Sequence, residues 1–226
     1  MFEWEGTNRA GIAGPALPGR RAWLAHCSGL ILASAAWAAS RQRILVVGDS
    51  LSAEYGLVRG TGWVALLTAR LLQRKIDATV VNASISGDTT AGGRSRLPAL
   101  LNQHKPTLVI LELGGNDALR GLPIEQTQAN LLAMARAARA AGAKVLVVGM
   151  QVPPNYGRRY SDDFAGVFAS VARTEQSALV PFLLAGVADG PQAVDMFQND
   201  RIHPKQAAHP RMLDNVWAVL EPLLLR

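Results

Sequence analysis

The sequence predicts an α/β fold, a parallel sheet with helices packed on both faces. Two observations carry that prediction. Short β-rich apolar runs alternate with longer segments of helical spacing, the order from which right-handed crossovers build a parallel sheet. Runs such as Leu45-Val46-Val47 and Leu108-Val109-Ile110-Leu111 are apolar without alternation, as in strands covered on both sides.

Taken in order, strands are expected over 43–47, 78–83, 107–113, 144–150 and, more weakly patterned, 178–182. Helices are expected over 62–74, 94–104, 124–141, 162–176 and 210–224. The third of these is built almost wholly of Ala, Leu, Met, Arg and Gln, all strong helix formers, and Gly142 follows where a C-cap belongs. No repeat, low-complexity block or linker interrupts the chain after residue 40.

Upstream of that domain, Arg20-Arg21 precede an apolar run from Ala22 to Trp37, and Ala36-Trp37-Ala38 offers small residues at a cleavage site. A basic stretch, an apolar stretch and A-x-A make a secretory signal peptide. The run is too short and too interrupted, by His26, Ser28 and Ser34, for a membrane span. Residues 1–38 are therefore expected to be a cleaved leader and 39–226 a single domain, exported to the periplasm or secreted. The only cysteine, Cys27, lies in the leader, so the exported chain has neither a disulfide nor a cysteine nucleophile nor a thiolate metal site. With 49% hydrophobic and 18% charged residues the chain is globular rather than disordered. The net charge of +6 is scattered, with no aromatic-interleaved basic cluster. Nucleic acid is not expected as a partner, whereas passing contact with anionic membrane lipids is compatible with that charge. The chain is expected to act as a monomer.

Open parallel sheets bind ligands beyond the carboxyl ends of their strands. Gly48-Asp49-Ser50-Leu51 follows the first strand, Ser84-Ile85-Ser86-Gly87 the second and Gly114-Gly115-Asn116-Asp117 the third, while Asp200-Arg201-Ile202-His203 precedes the last helix. Together they hold the parts for acyl transfer. A serine hydroxyl needs a base, and a histidine base needs an acid to fix its tautomer. His104 sits at an expected helix end and His209 at a helix start, so His203, three residues after Asp200, is the candidate base. Oxyanion donors are offered by the N–H groups of Ser50 and Gly87 and by the Asn116 amide. Singly, each motif also reads as a turn. Asp49 and Asp117 are expected to hold loops by accepting hydrogen bonds, and the hydroxyls of Ser84 and Ser86 to brace the Gly87 loop. Glu112, in an apolar strand, is expected to be paired or hydrogen-bonded, because a lone buried carboxylate is costly.

In combination these blocks resemble the GDSL, or SGNH, hydrolases, and the wider context resembles their bacterial periplasmic thioesterase/lysophospholipase/arylesterase group. The context lies in residues 82–89, 111–121 and 154–160, and the likeness runs over residues 42–226. The resemblance implies a flavodoxin-like three-layer sandwich with five parallel strands in the order 2-1-3-4-5. It implies Ser50 as nucleophile, His203 as base, Asp200 as its acid, and Ser50, Gly87 and Asn116 as the oxyanion hole. No cofactor or metal is called for. Leu119, Leu122, Pro154 and Tyr156 are expected along the acyl groove, since the loop after Gly-Gly-Asn-Asp influences chain-length preference in the resembled group. The implied activity is hydrolysis of lipid or small-molecule esters and thioesters. A carbohydrate or peptidoglycan O-acetylesterase and a non-catalytic flavodoxin-like binding protein are the alternatives.

Overall fold

The computed structural model describes residues 1–3, 41–190 and 193–225. All of the expected leader except its first three residues lies outside them.

Five parallel strands form one sheet: β1 (Gln42–Gly48), β2 (Ala78–Asn82), β3 (Leu108–Glu112), β4 (Lys144–Val148) and β5 (Ala178–Val180). They lie in the order β2-β1-β3-β4-β5, as the resemblance implied. In the central strand β3 every residue is buried, which accounts for its unbroken apolar run. Its register pairs Val47 with Leu111 and Gly48 with Glu112, so the two central strands end level at one crevice.

Helices α2 (Thr90–His104), α4 (Ile124–Ala140) and α5 (Arg158–Thr174) pack side by side on one face. Helices α1 (Trp63–Gln73) and α7 (His209–Leu224) cover the other. Two short helices, α3 (Gly115–Leu119) and α6 (Ala193–Met196), lie in strand-end loops. Among the described residues no helix is long and apolar enough to cross a membrane.

Of the boundaries that differ from expectation, three have a clear local reason. Helix α2 starts at Thr90 rather than 94, despite Gly92, Gly93 and Pro98 within it. Thr89 caps it by accepting the Gly92 N–H. A Cβ on Gly93 would come within 2.3 Å of a Leu113 methyl, so the glycine permits close helix–sheet approach where propensity alone argues against a helix. Helix α5 starts at Arg158, directly after Gly157 with φ +85°. Strand β5 stops at Val180 because Pro181 has no N–H to continue the ladder.

Candidate active site

The Ser50 turn begins where β1 runs out. Gly48 leaves no room for a side chain: a Cβ there would sit 2.8 Å from both Glu112 Oε2 and Ser52 Oγ. Buried Asp49 then closes the turn, its Oδ1 accepting the Leu51 N–H at 3.0 Å. Ser50 stands between them, half-buried and facing the crevice.

A second loop meets it from the far end of the chain. Phe197 and Pro204 form an antiparallel bridge, and Gln198 N–H donates to His203 O at 2.8 Å, closing a small hairpin around Asp200–His203. Arg201 adopts φ +56°, a left-handed conformation uncommon for a non-glycine residue. That turn lets Asp200 Oδ1 accept the N–H groups of Ile202 (2.9 Å) and His203 (3.0 Å). Asp200 Oδ2 lies 2.7 Å from His203 Nδ1, and His203 Nε2 lies 2.9 Å from Ser50 Oγ. A carboxylate on Nδ1 keeps the proton there and leaves Nε2 to accept from the serine. The backbone N–H of His203, its imidazole and then the Ile202 N–H hold the Asp200 carboxyl down at about 2. It is ionised throughout the physiological range.

The residues expected to donate to an oxyanion lie in two other loops. Asn116, in the first turn of α3, gives its Nδ2–H to Asp49 Oδ2 at 3.0 Å, which fastens the amide to the Ser50 turn. Gly87 takes φ +78° in the loop after β2. The Ile85 N–H donates to Gly48 O at 3.0 Å, bringing that loop against the end of β1. The Ser84 hydroxyl does not brace it: its Oγ is buried without a partner among the described residues. Arg96 does, from α2, reaching Asp88 Oδ2 (2.8 Å), Ala83 O and Gly48 O (3.3 Å). Arg120 adds a hydrogen bond of 2.7 Å from Nη2 to Gly87 O. Asp117 accepts from Thr90 N–H (2.9 Å), the Thr90 hydroxyl and Thr127 Oγ1 (3.3 Å), so it holds α2, α3 and α4 together.

Beneath the Ser50 turn lies an acid pair. Glu112 is fully buried; its Oε2 accepts from Ser52 Oγ at 2.6 Å and from Asp49 N–H at 3.4 Å, while Oε1 has no partner among the described residues. Burial, and then the neighbouring Asp49 charge, push Glu112 well above the ordinary carboxyl range. Burial also lifts Asp49 to about 6, against the hydrogen bonds of Leu51 and Asn116. Glu112 is therefore a hydrogen-bonded acid that keeps its proton to higher pH than an exposed carboxyl does. From pH 4.5 upward the unfolded chain releases a proton that the folded chain keeps, so stability falls as pH rises through that window. Glu112→Gln, neutral at every pH, is expected to flatten that fall in urea unfolding measured from pH 5 to 8. An equally steep decline in the variant would assign the slope elsewhere.

The expected acyl-groove residues lie in neighbouring loops. Leu119 is exposed and Leu122 half-buried. Pro154 and Tyr156 form a 3-10 turn after β4, where Tyr156 stacks on Tyr160 with ring centroids 5.8 Å apart. Tyr160 continues to Phe164 and Phe168, and a Cβ on Gly114 would sit 3.1 Å from Phe168. This aromatic ladder joins the Tyr156 turn to the glycine before Asn116. His209 plays no part in the crevice: it is buried, its Nδ1 accepts the Trp63 N–H at 3.0 Å, and burial lowers its pKa.

Tyr55, Arg96, Arg120 and Gln198 escape a reading of the sequence. The Tyr55 ring lies 4.3 Å from the His203 ring, tilted by 36°, and Gln198 Nε2–H holds the Tyr55 carbonyl at 3.0 Å. Nothing in their spacing marks them, because each acts through a contact between distant loops.

Residues 46–211 match the family model of the GDSL-like lipase/acylhydrolases. The chain is 57% identical over 201 residues to the esterase TesA of Pseudomonas aeruginosa, covering 89% of this chain and 98% of that one. It is 41% identical over 187 residues to "Thioesterase 1/protease 1/lysophospholipase L1" of Escherichia coli, covering 83% of this chain and 87% of that one. A crystal structure of TesA superimposes with a TM-score of 0.78 at 58% identity, over 80% of this chain and 99% of that one. On a full-length likeness of this depth, joined to a family match over most of its residues, the chain belongs to the GDSL-like lipase/acylhydrolase family.

Proposed function

We propose that this chain is an exported serine hydrolase that cleaves carboxylic esters and thioesters through an acyl-enzyme on Ser50. One observation carries the reading: the unbroken hydrogen-bonded line from Asp200 through His203 to Ser50 Oγ. In the proposed reaction Ser50 attacks the acyl carbon as His203 Nε2 takes its proton. Negative charge on the carbonyl oxygen is held by Ser50 N–H, Gly87 N–H and the Asn116 amide. The imidazolium next protonates the leaving alcohol or thiol, and water repeats the sequence on the acyl-enzyme. Asp200, ionised, keeps the imidazole oriented throughout and stabilises its charged form. Export is proposed from the leader pattern of residues 1–38, and the domain that follows is proposed to work alone, with only passing contact with lipids.

Activities printed for the relatives, esterase and thioesterase/lysophospholipase, define the panel that tests the reading. Purified protein should hydrolyse p-nitrophenyl esters of several lengths, an acyl-CoA and a lysophospholipid; no turnover of any would remove it. Within that panel Leu122, half-buried beside Leu119, is proposed to border the acyl groove. Leu122→Ala should displace the preferred acyl length by at least two carbons, and an unchanged length profile rejects the contact.

A further inference from the structure

Arg120 stands out among the cations at the carboxyl edge of the sheet. Its guanidinium is exposed at the crevice yet fixed, by the 2.7 Å bond from Nη2 to Gly87 O. No carboxylate pairs with it among the described residues. The nearby arginines differ. Arg96 is largely buried on Asp88 at 2.8 Å, and Arg158 and Arg159 face Asp162 and Asp163 across one helical turn. Arg201 is exposed, but no described hydrogen bond fixes its guanidinium. Five N–H donors serve an arginine, and the described bond uses one.

From this we propose that Arg120 is a specificity residue that binds a phosphate on the leaving group of the acyl substrate. The proposal rests on the hydrolase reading, among whose substrates lysophospholipids already stand, and adds the residue that would meet the phosphate of a monoacyl glycerophosphate. Reach supports that choice. An oxyanion about 3 Å from Gly87 N–H lies at most roughly 10 Å from the Arg120 nitrogen that holds the carbonyl of the same residue. In a monoacylglycerophosphate the phosphorus is about six bonds from the acyl carbon, roughly 8 Å when extended. In an acyl-CoA more than about a dozen bonds intervene, roughly 16 Å or more. A planar guanidinium suits phosphate because it presents paired donors to two oxygens. Arg120 also follows the short helix that carries Asn116, so one side chain joins the loops of two proposed oxyanion donors.

Three octanoyl substrates below their micelle concentrations test this: 1-octanoylglycerol, 1-octanoylglycerol 3-phosphate and octanoyl-CoA. Any damage from loosening the Gly87 loop falls on all three and cancels in ratios. The kcat/KM ratio of phosphorylated to neutral glyceride should fall about tenfold in Arg120→Gln, mainly through KM, the lower range for a hydrogen bond to a charged group. Arg120→Lys, which keeps the charge, should lose less. Octanoyl-CoA should follow the neutral ester. An unchanged ratio in Arg120→Gln overturns the proposal, and a selective loss on octanoyl-CoA overturns the glycerophosphate assignment. Hydrolysis of none by the unaltered protein removes the hydrolase reading itself. A second measurement needs no variant: glycerol 3-phosphate should inhibit 1-octanoylglycerol hydrolysis competitively and less at high salt, and no inhibition would also overturn it.

Discussion

Ser50→Ala is expected to lower kcat on a p-nitrophenyl ester by about 10⁵–10⁶-fold, the scale on which a serine hydrolase loses its nucleophile. The fold should be untouched. Ser50 Oγ is described with one hydrogen bond, to His203 Nε2, and that site opens on the crevice, so the loss leaves no stranded buried group. A melting temperature within a few degrees of the parent would show that chemistry alone was removed. What remains above the uncatalysed rate measures binding and the oxyanion donors, which act without the serine. Activity within tenfold of the parent would move the nucleophile elsewhere.

Asp200→Asn should cost about 10⁴-fold in kcat, although the geometry can survive intact. An amide facing Nδ1 can donate instead of accept, and it then stabilises the tautomer with the proton on Nε2. In that form the imidazole cannot take the serine proton. Chelated between two backbone N–H groups and the imidazole, the carboxyl also couples folding to acidity. Its pKa falls from 3.8 unfolded to about 2 folded. The stabilisation is thus complete above about pH 4 and disappears as pH falls through about 2. Unfolding followed from pH 2 to 5 should lose this component in Asp200→Asn. A pH profile identical to the parent would mean that the carboxylate is not held as described. The charge is more than a third exposed at 38% of its side-chain surface, so solvent screens it and the step in stability is small.

The central architecture was readable because periodicity reports burial. An unbroken run such as Leu108–Leu111, set between helical segments, fits a strand covered twice, and the strand ends then mark the crevice. The same logic drew attention to Gly48-Asp49-Ser50 and Asp200-x-x-His203 at the strand ends, where each alone also reads as a turn and only their combination marked them as candidates. Local propensity misled where tertiary contact overrode it. Gly92 and Gly93 argue against a helix start, but the second is small because Leu113 lies against it. Gly114–Asp117 reads as a tight turn, yet Gly115 opens the one-turn helix that aims Asn116. Tyr55, Arg96 and Arg120 were invisible for another reason. Their most distant partners are 148, 48 and 33 residues away, and no periodicity encodes a contact across such a span. Glu112 was recognisable as an anomaly, a carboxyl in an apolar strand, but its companion Asp49 emerged only from the register that sets Gly48 beside Glu112.

Arg96 gathers acceptors from the end of β1, the start of the Gly87 loop and Asp88 beyond it. Helix α2, the end of β1 and the Gly87 loop are thus tied by one side chain, and on warming these three stretches have to let go as a single cooperative unit. Lysine could not substitute quietly there, because a point-like ammonium cannot span acceptors laid out for a planar fork. Mutational drift in any of the three stretches is consequently constrained by the other two, and paired changes across them should combine non-additively.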